Sequence, residues 1–231
     1  MEAQQTHSGD IYDLLGWLEK NRDWLIKLAA ALIVVGVIVS YLVWRKGARE
    51  IEAGEQLTAL LASSAGAPVS AESLLKVAAD FSGTAAGARA QLAAASQYFS
   101  EGKYPEAQAQ FQKFIADYSE SPLASQASLG VAASLEAQQK NAEASAAYKA
   151  IADRKQDMSA ATAARFGLAR LLVAEGKLTA ARDLYLELAN DQYSMAGSEA
   201  GSKLAELIQQ HPELRPVAPA ATNSTSVKPA N

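Results

Sequence analysis

The chain has 231 residues and a net charge of −4, with 15 basic and 20 acidic side chains between residues 47 and 215. A nucleic-acid surface would need a basic stripe that this balance does not supply. There is no cysteine and there are two histidines, His7 and His211, which excludes disulfides, thiolate metal sites, cysteine nucleophiles and an acylated N-terminal cysteine anchor, and leaves the body almost without the usual general base and metal ligand.

Residues 1–24 form a short head. Met1 to Gly9 is polar and expected to be disordered. Ile11, Leu14, Leu15 and Leu18 then recur at helical spacing, with Asp10 as a candidate N-cap. The pattern fits either an amphipathic helix lying on a membrane surface or an extension of the helix that follows.

That next helix is the most distinctive stretch of the chain. Leu28 to Trp44, LAAALIVVGVIVSYLVW, holds no charged residue; extended back to Leu25 it is interrupted only by Lys27. Residues 25–44 are thus long enough to cross a hydrocarbon core of about 30 Å as a helix. Trp24, Tyr41 and Trp44 stand at the edges where interfacial aromatics belong, and Arg45 and Lys46 stop the run. A cleaved signal peptide would have a shorter apolar region and a small-residue cleavage site, and Tyr-Leu-Val-Trp-Arg-Lys is a poor one. Orientation stays open: Lys20, Arg22 and Lys27 on one side balance Arg45, Lys46 and Arg49 on the other. So does the junction, where Gly47 allows either a hinge or one continuous helix.

Residues 47–210 are rich in Ala, Leu, Glu and Gln and contain no strand-like alternation. Aligned, GKYPEAQAQF (102–111), QKNAEASAAY (139–148) and GKLTAARDLY (176–185) are 37 residues apart. Lys103, Lys140 and Lys177 coincide, as do Ala107, Ala144 and Ala181, the aromatics Phe111, Tyr148 and Tyr185, and the large residues Phe114, Ile151 and Leu188. Upstream lie Ala95, Ala132 and Ala169, then Tyr98, Leu135 and Leu172. Each unit reads as two antiparallel helices joined at Glu101-Gly102-Lys103, near Gln138 to Asn141, or at Glu175-Gly176-Lys177. The paired alanines mark a close crossing, and the aromatics fill the gap to the next pair. Glu50–Leu61 and Ala71–Asp80 form a degenerate first pair across a loop at 62–70, and Met195–Gln210 a closing helix. The expected fold is all-α: a transmembrane helix followed by an α-solenoid.

The motif resembles the tetratricopeptide repeat, with a period of 37 in place of 34 and with Ser119 standing where that family has a helix-stopping proline. Over nearly the whole chain, the head, the anchor with flanking tryptophans, and FSGTAAGARAQLAAA and FQKFIADYSESPLASQASLG are similar to the YfgM-like ancillary subunits of the SecYEG translocon. That resemblance implies an inner-membrane protein with periplasmic repeats, associating with the SecYEG channel and periplasmic chaperones. A scaffold subunit of another envelope assembly or secretion complex shares the same fold and remains the alternative.

Residues 211–231 are rich in Pro, Ala, Ser and Thr and are expected to form a disordered tail. No catalytic constellation, cofactor, metal or small-molecule substrate is expected; acidic residues fall at helical spacing as a solvated face. In repeats of this kind the first helix of each pair lines the concave face. The candidate protein- or peptide-binding residues there are Arg89, Ser96, Phe99, Gln126, Glu136, Phe166 and Arg170, with Leu129 and Val173 in the same rows and open to a core role. Arg89 and Arg170 are the only cations among them, so recognition of a chaperone's C-terminal carboxylate is not expected.

Overall fold

The computed structural model describes residues 9–63, 68–154, 157–190 and 194–215. The expected disorder of residues 1–8 and of the distal tail, 216–231, lies outside these. Among the described residues there are ten α-helices and no strand. The first, α1 (Gly9–Lys20), begins one residue before Asp10, so Asp10 lies in its first turn and is not its cap. A single residue, Asn21, separates α1 from α2 (Arg22–Ser63). The backbone bonds Asn21 N–H to Trp17 O and Leu25 N–H to Asn21 O carry the helical ladder across it, so the head is an extension of the long helix.

Helix α2 runs for 42 residues and contains the whole 25–44 stretch, long and apolar enough to cross a membrane and exposed from Ile26 to Trp44. It does not end at Gly47. It continues to Ser63 and becomes the first helix of the solenoid, followed by α3 (Ala71–Asp80). The reason is tertiary. Ala53 is fully buried, and Leu57 and Leu60 pack on Ala71, Leu74 and Ala94. Arg49 donates to Asp80 O (3.0 Å) at the C-terminal end of α3, and the Glu50 carboxylate accepts from the Ala85 N–H (3.0 and 3.1 Å), the first amide of the next helix. A cation thus meets the negative end of one helix and an anion the positive end of another.

Three pairs follow: α4 (Ala85–Ser100) with α5 (Tyr104–Asp117), α6 (Ala124–Ala137) with α7 (Asn141–Ala152), and α8 (Met158–Ala174) with α9 (Leu178–Ala189). Helix α10 (Met195–Gln210) closes the stack with the expected bounds. Ala95 and Ala107, Ala132 and Ala144, and Ala169 and Ala181 are all fully buried, each couple within one cluster. The structure also corrects the tail boundary. After His211 a 3₁₀ turn, Pro212–Leu214, folds back and buries Leu214 beside Ala169, Ala181 and Leu207.

The shared lysines have a backbone explanation. Each pair turns through a residue of positive φ, Gly102 (76°), Gln139 (61°) and Gly176 (73°). The following lysine N–H then bonds back to Tyr98 O, Leu135 O or Leu172 O (2.9–3.0 Å). This is the Schellman arrangement, in which a left-handed residue lets the chain satisfy the last free carbonyls. Lys103 completes it by laying its ammonium 5.5 Å from the Tyr98 ring centre. Only the middle turn places a side chain where glycine is favoured. Gln139→Gly should therefore raise stability by about 1 kcal/mol, read as a higher urea midpoint of the full chain in detergent.

Candidate protein-binding face

The stack carries two notches in the same register, two repeats apart. The first, about 280 Å³, lies between α4 and α6 and is lined by Ser96, Phe99, Gln126 and Leu129 over a floor of Phe111 and Gly130. The second, about 390 Å³, lies between α8 and α10; Phe166, Arg170 and Val173 form one wall, Lys203, Glu206 and Leu207 the other, and Tyr185 the floor. Phe111 and Tyr185 are the repeat aromatics, so the device that fills the gap between pairs also floors each notch. Between the notches the corresponding space is bridged. Arg170 on α8 donates from Nε and Nη2 to both oxygens of Glu136 on α6 (2.9 and 2.7 Å). Tyr148 Oη on α7 donates to Glu136 Oε2 (2.8 Å).

Of the expected residues, Ser96, Phe99 and Gln126 come together in the first notch, and Phe166 and Arg170 in the second. Glu136 and Arg170, both candidates for contact with a partner, are paired with each other: a bidentate guanidinium–carboxylate pair is geometrically matched and leaves little reason for either group to stay apart. Arg89 is exposed on α4 and enters neither notch. Leu129, Phe166 and Val173 are half-buried, packing on the core while presenting an edge to the notches. The second notch's α10 wall was not anticipated, because α10 reads as a plain closing helix. Its signal was present: Lys203 stands 37 residues beyond Phe166 and 74 beyond Leu129, in the row that lines the face.

The bridge sets a pH dependence. Burial alone would raise the Glu136 carboxyl, but the hydrogen bonds from Arg170 and Tyr148 outweigh it and hold it below the usual value. Burial and the Glu136 carboxylate push the Tyr148 phenol well up. A depressed carboxyl contributes stability that is complete above its unfolded pKa, about 4.3, and is lost as pH falls through the lower folded value. A raised phenol contributes stability that is complete below about pH 10 and fades above it. Glu136→Gln should cost about 1 kcal/mol at pH 6, a modest value because Arg170 is largely solvent-exposed. It should also flatten the fall in urea midpoint below pH 4.5.

Residues 92–159 and 132–194 match the tetratricopeptide repeat family model, which places repeats of that type in this part of the chain. Two crystal structures of nearly identical TPR-like repeats, from a Podosopora anserina chain assigned to the kinesin light chains and from a point variant of it, are 19% identical to this chain. Both cover 74% of it, with 90% and 89% of their own lengths and TM-scores of 0.49 and 0.50. No curated protein matches the chain.

Proposed function

We propose that the chain is a membrane-anchored protein-binding module that holds extended polypeptide segments in its two concave notches beside a translocation site. The observation that carries this reading is the pair of aromatic-floored notches on a repeat stack whose first helix is continuous with an apolar, span-length segment. Each notch offers apolar surface rimmed by polar groups, which suits alternating side chains of an extended partner. The resemblance to YfgM-like subunits supports a bacterial inner-membrane location, a periplasmic repeat domain, and the SecYEG channel and periplasmic chaperones as partners.

Two measurements test it. A cysteine introduced by Asn190→Cys, at the exposed-turn end of α9, should react with a membrane-impermeant thiol reagent in intact cells; reaction only after permeabilisation would place the repeats in the cytoplasm and remove the periplasmic partners. A photo-crosslinking amino acid at Phe99 or Val173 should trap channel subunits, chaperones or emerging chains, whereas one at Lys149, exposed on a second helix of a pair, should not. Trapping at Lys149 alone would overturn the concave-face assignment.

A further inference from the structure

The continuity of α2 fixes which end of the solenoid faces the membrane. Arg49 bonds at the end of α3 and Glu50 at the start of α4, while Leu57 and Leu60 pack further along both helices. So α2 lies antiparallel to α3 and alongside α4 in the same direction. The connection from α3 to α4, residues 81–84, is therefore at the end nearest the span. Glu50 is six residues beyond Trp44, about 9 Å along the helix axis. The headgroup layer is about 5–8 Å deep on each side of the hydrocarbon. The 81–84 turn consequently stands at the outer boundary of the headgroups.

The later turns between pairs occupy the same end, because the helices alternate in direction. The Tyr118 hydroxyl, from the α5–α6 turn, accepts from the Gly83 N–H (3.2 Å) and ties the first two together. The N-termini of α8 and α10 follow in the same row. Their first residues are Met158 and Met195, 37 apart, and they are among the most exposed large apolar side chains of the described residues, at 68% and 92%. The corresponding residues nearer the anchor are Thr84 and Ser121. Apolar side chains thus appear at this position only in the part of the stack that α2 does not hold. Glu120 and Asp153 are exposed on the same turns, with the exposed Arg154 beside the latter, while the other acidic groups nearby are engaged. Asp80 pairs with Lys76, Asp117 with Lys113, and Asp157 accepts from the Ala160 N–H.

We propose that this rim is a second membrane contact, with Met158 and Met195 inserted into the headgroup–acyl boundary of the bilayer that α2 crosses. The inference rests on α2 being a span. A stack held only at its first pair is a lever that can tilt about the anchor. Two flexible, apolar methionines at the far end would hold it level, at little energetic demand for a fixed lipid geometry. The notches would then sit at a fixed height above the membrane.

The chain's lack of cysteine makes the test direct. Full-length protein in phosphatidylcholine nanodiscs would carry one fluorophore-labelled cysteine from Met158→Cys, Met195→Cys, Gln139→Cys (the opposite end) or Gly36→Cys (mid-span). The Met158 and Met195 labels should be quenched several-fold more by doxyl-labelled lipid than the Gln139 label, and should resist aqueous iodide. Rim labels as open to iodide as the Gln139 label, with the Gly36 label shielded, would overturn this proposal and leave the anchor intact. An iodide-accessible Gly36 label would overturn the anchor itself and the proposal with it.

Discussion

Alanine at Gly167 should destabilise the protein by about 1–2 kcal/mol, while alanine at Gly201 should stabilise it by up to about 1 kcal/mol. The two substitutions are chemically identical and both sit inside helices, where alanine is intrinsically preferred. The difference lies in what a methyl group would meet. At Gly201 no heavy atom stands within 4 Å; at Gly167 a Cβ would fall 2.6 Å from two carbons of the Tyr148 ring. That ring cannot swing aside, because it is 3% exposed and its hydroxyl is tied to Glu136. The overlap, about 1–3 kcal/mol of overpacking with room for more, exceeds the gain in helix propensity. Gly130 stands in the same relation to Phe111, at 2.5 Å, and Gly130→Ala should behave as Gly167→Ala does. Urea midpoints of the three variants in one detergent check the prediction. A shift of the same sign at Gly167 and Gly201 would show that the ring is not locked.

These glycines show where sequence reasoning reached and where it stopped. The 37-residue spacing exposed the buried alanine couples and the aromatics because each must recur wherever two helices cross at the same distance. It also carried, unread, Gly130 and Gly167, each 19 residues after its aromatic. Their meaning depends on which face of the next pair meets the ring, and spacing alone does not give that. The third aromatic, Tyr185, meets Leu204 at this offset, since the closing helix has no further repeat to admit. The junction at Gly47 was undecidable for a different reason. Local preference allows a glycine either to bend or to continue, and what decides is the burial of Ala53 and the two helix-end bonds of Arg49 and Glu50, contacts reaching 31 and 35 residues along the chain. The Arg170–Glu136 bridge lies 34 residues apart in rows that resemble a solvated face. Charge type predicted exposure there, and mutual pairing prevailed.

Phe114→Ala should cost about 4 kcal/mol, more than any other single truncation in the row that also holds Ile151 and Leu188. Phe114 is fully buried, whereas Ile151 is 2% and Leu188 8% exposed. Its ring packs with Leu92, Ala107, Phe111 and Ala127 and lies 5.1 Å from the Tyr118 ring. It therefore joins α4, α5 and α6 at once. Removing it leaves a cavity that neighbouring alanines cannot fill, and domains of this size have only about 5–15 kcal/mol in total. The loss should not spread evenly. In a repeat stack each pair touches only its neighbours, and Phe114 sits between the pairs fastened to α2 and those beyond. Amide exchange should accelerate most in α5 and α6, and the pairs beyond should open separately from the α2–α4 unit, giving a broadened or two-step unfolding curve. Ile151→Ala, one repeat further from the anchor, should lower the midpoint by less and leave the α2–α5 unit protected. Equal losses in a single sharp transition for both variants would mean that the stack unfolds as one block, and that the membrane-proximal pairs gain nothing from the helix that anchors them.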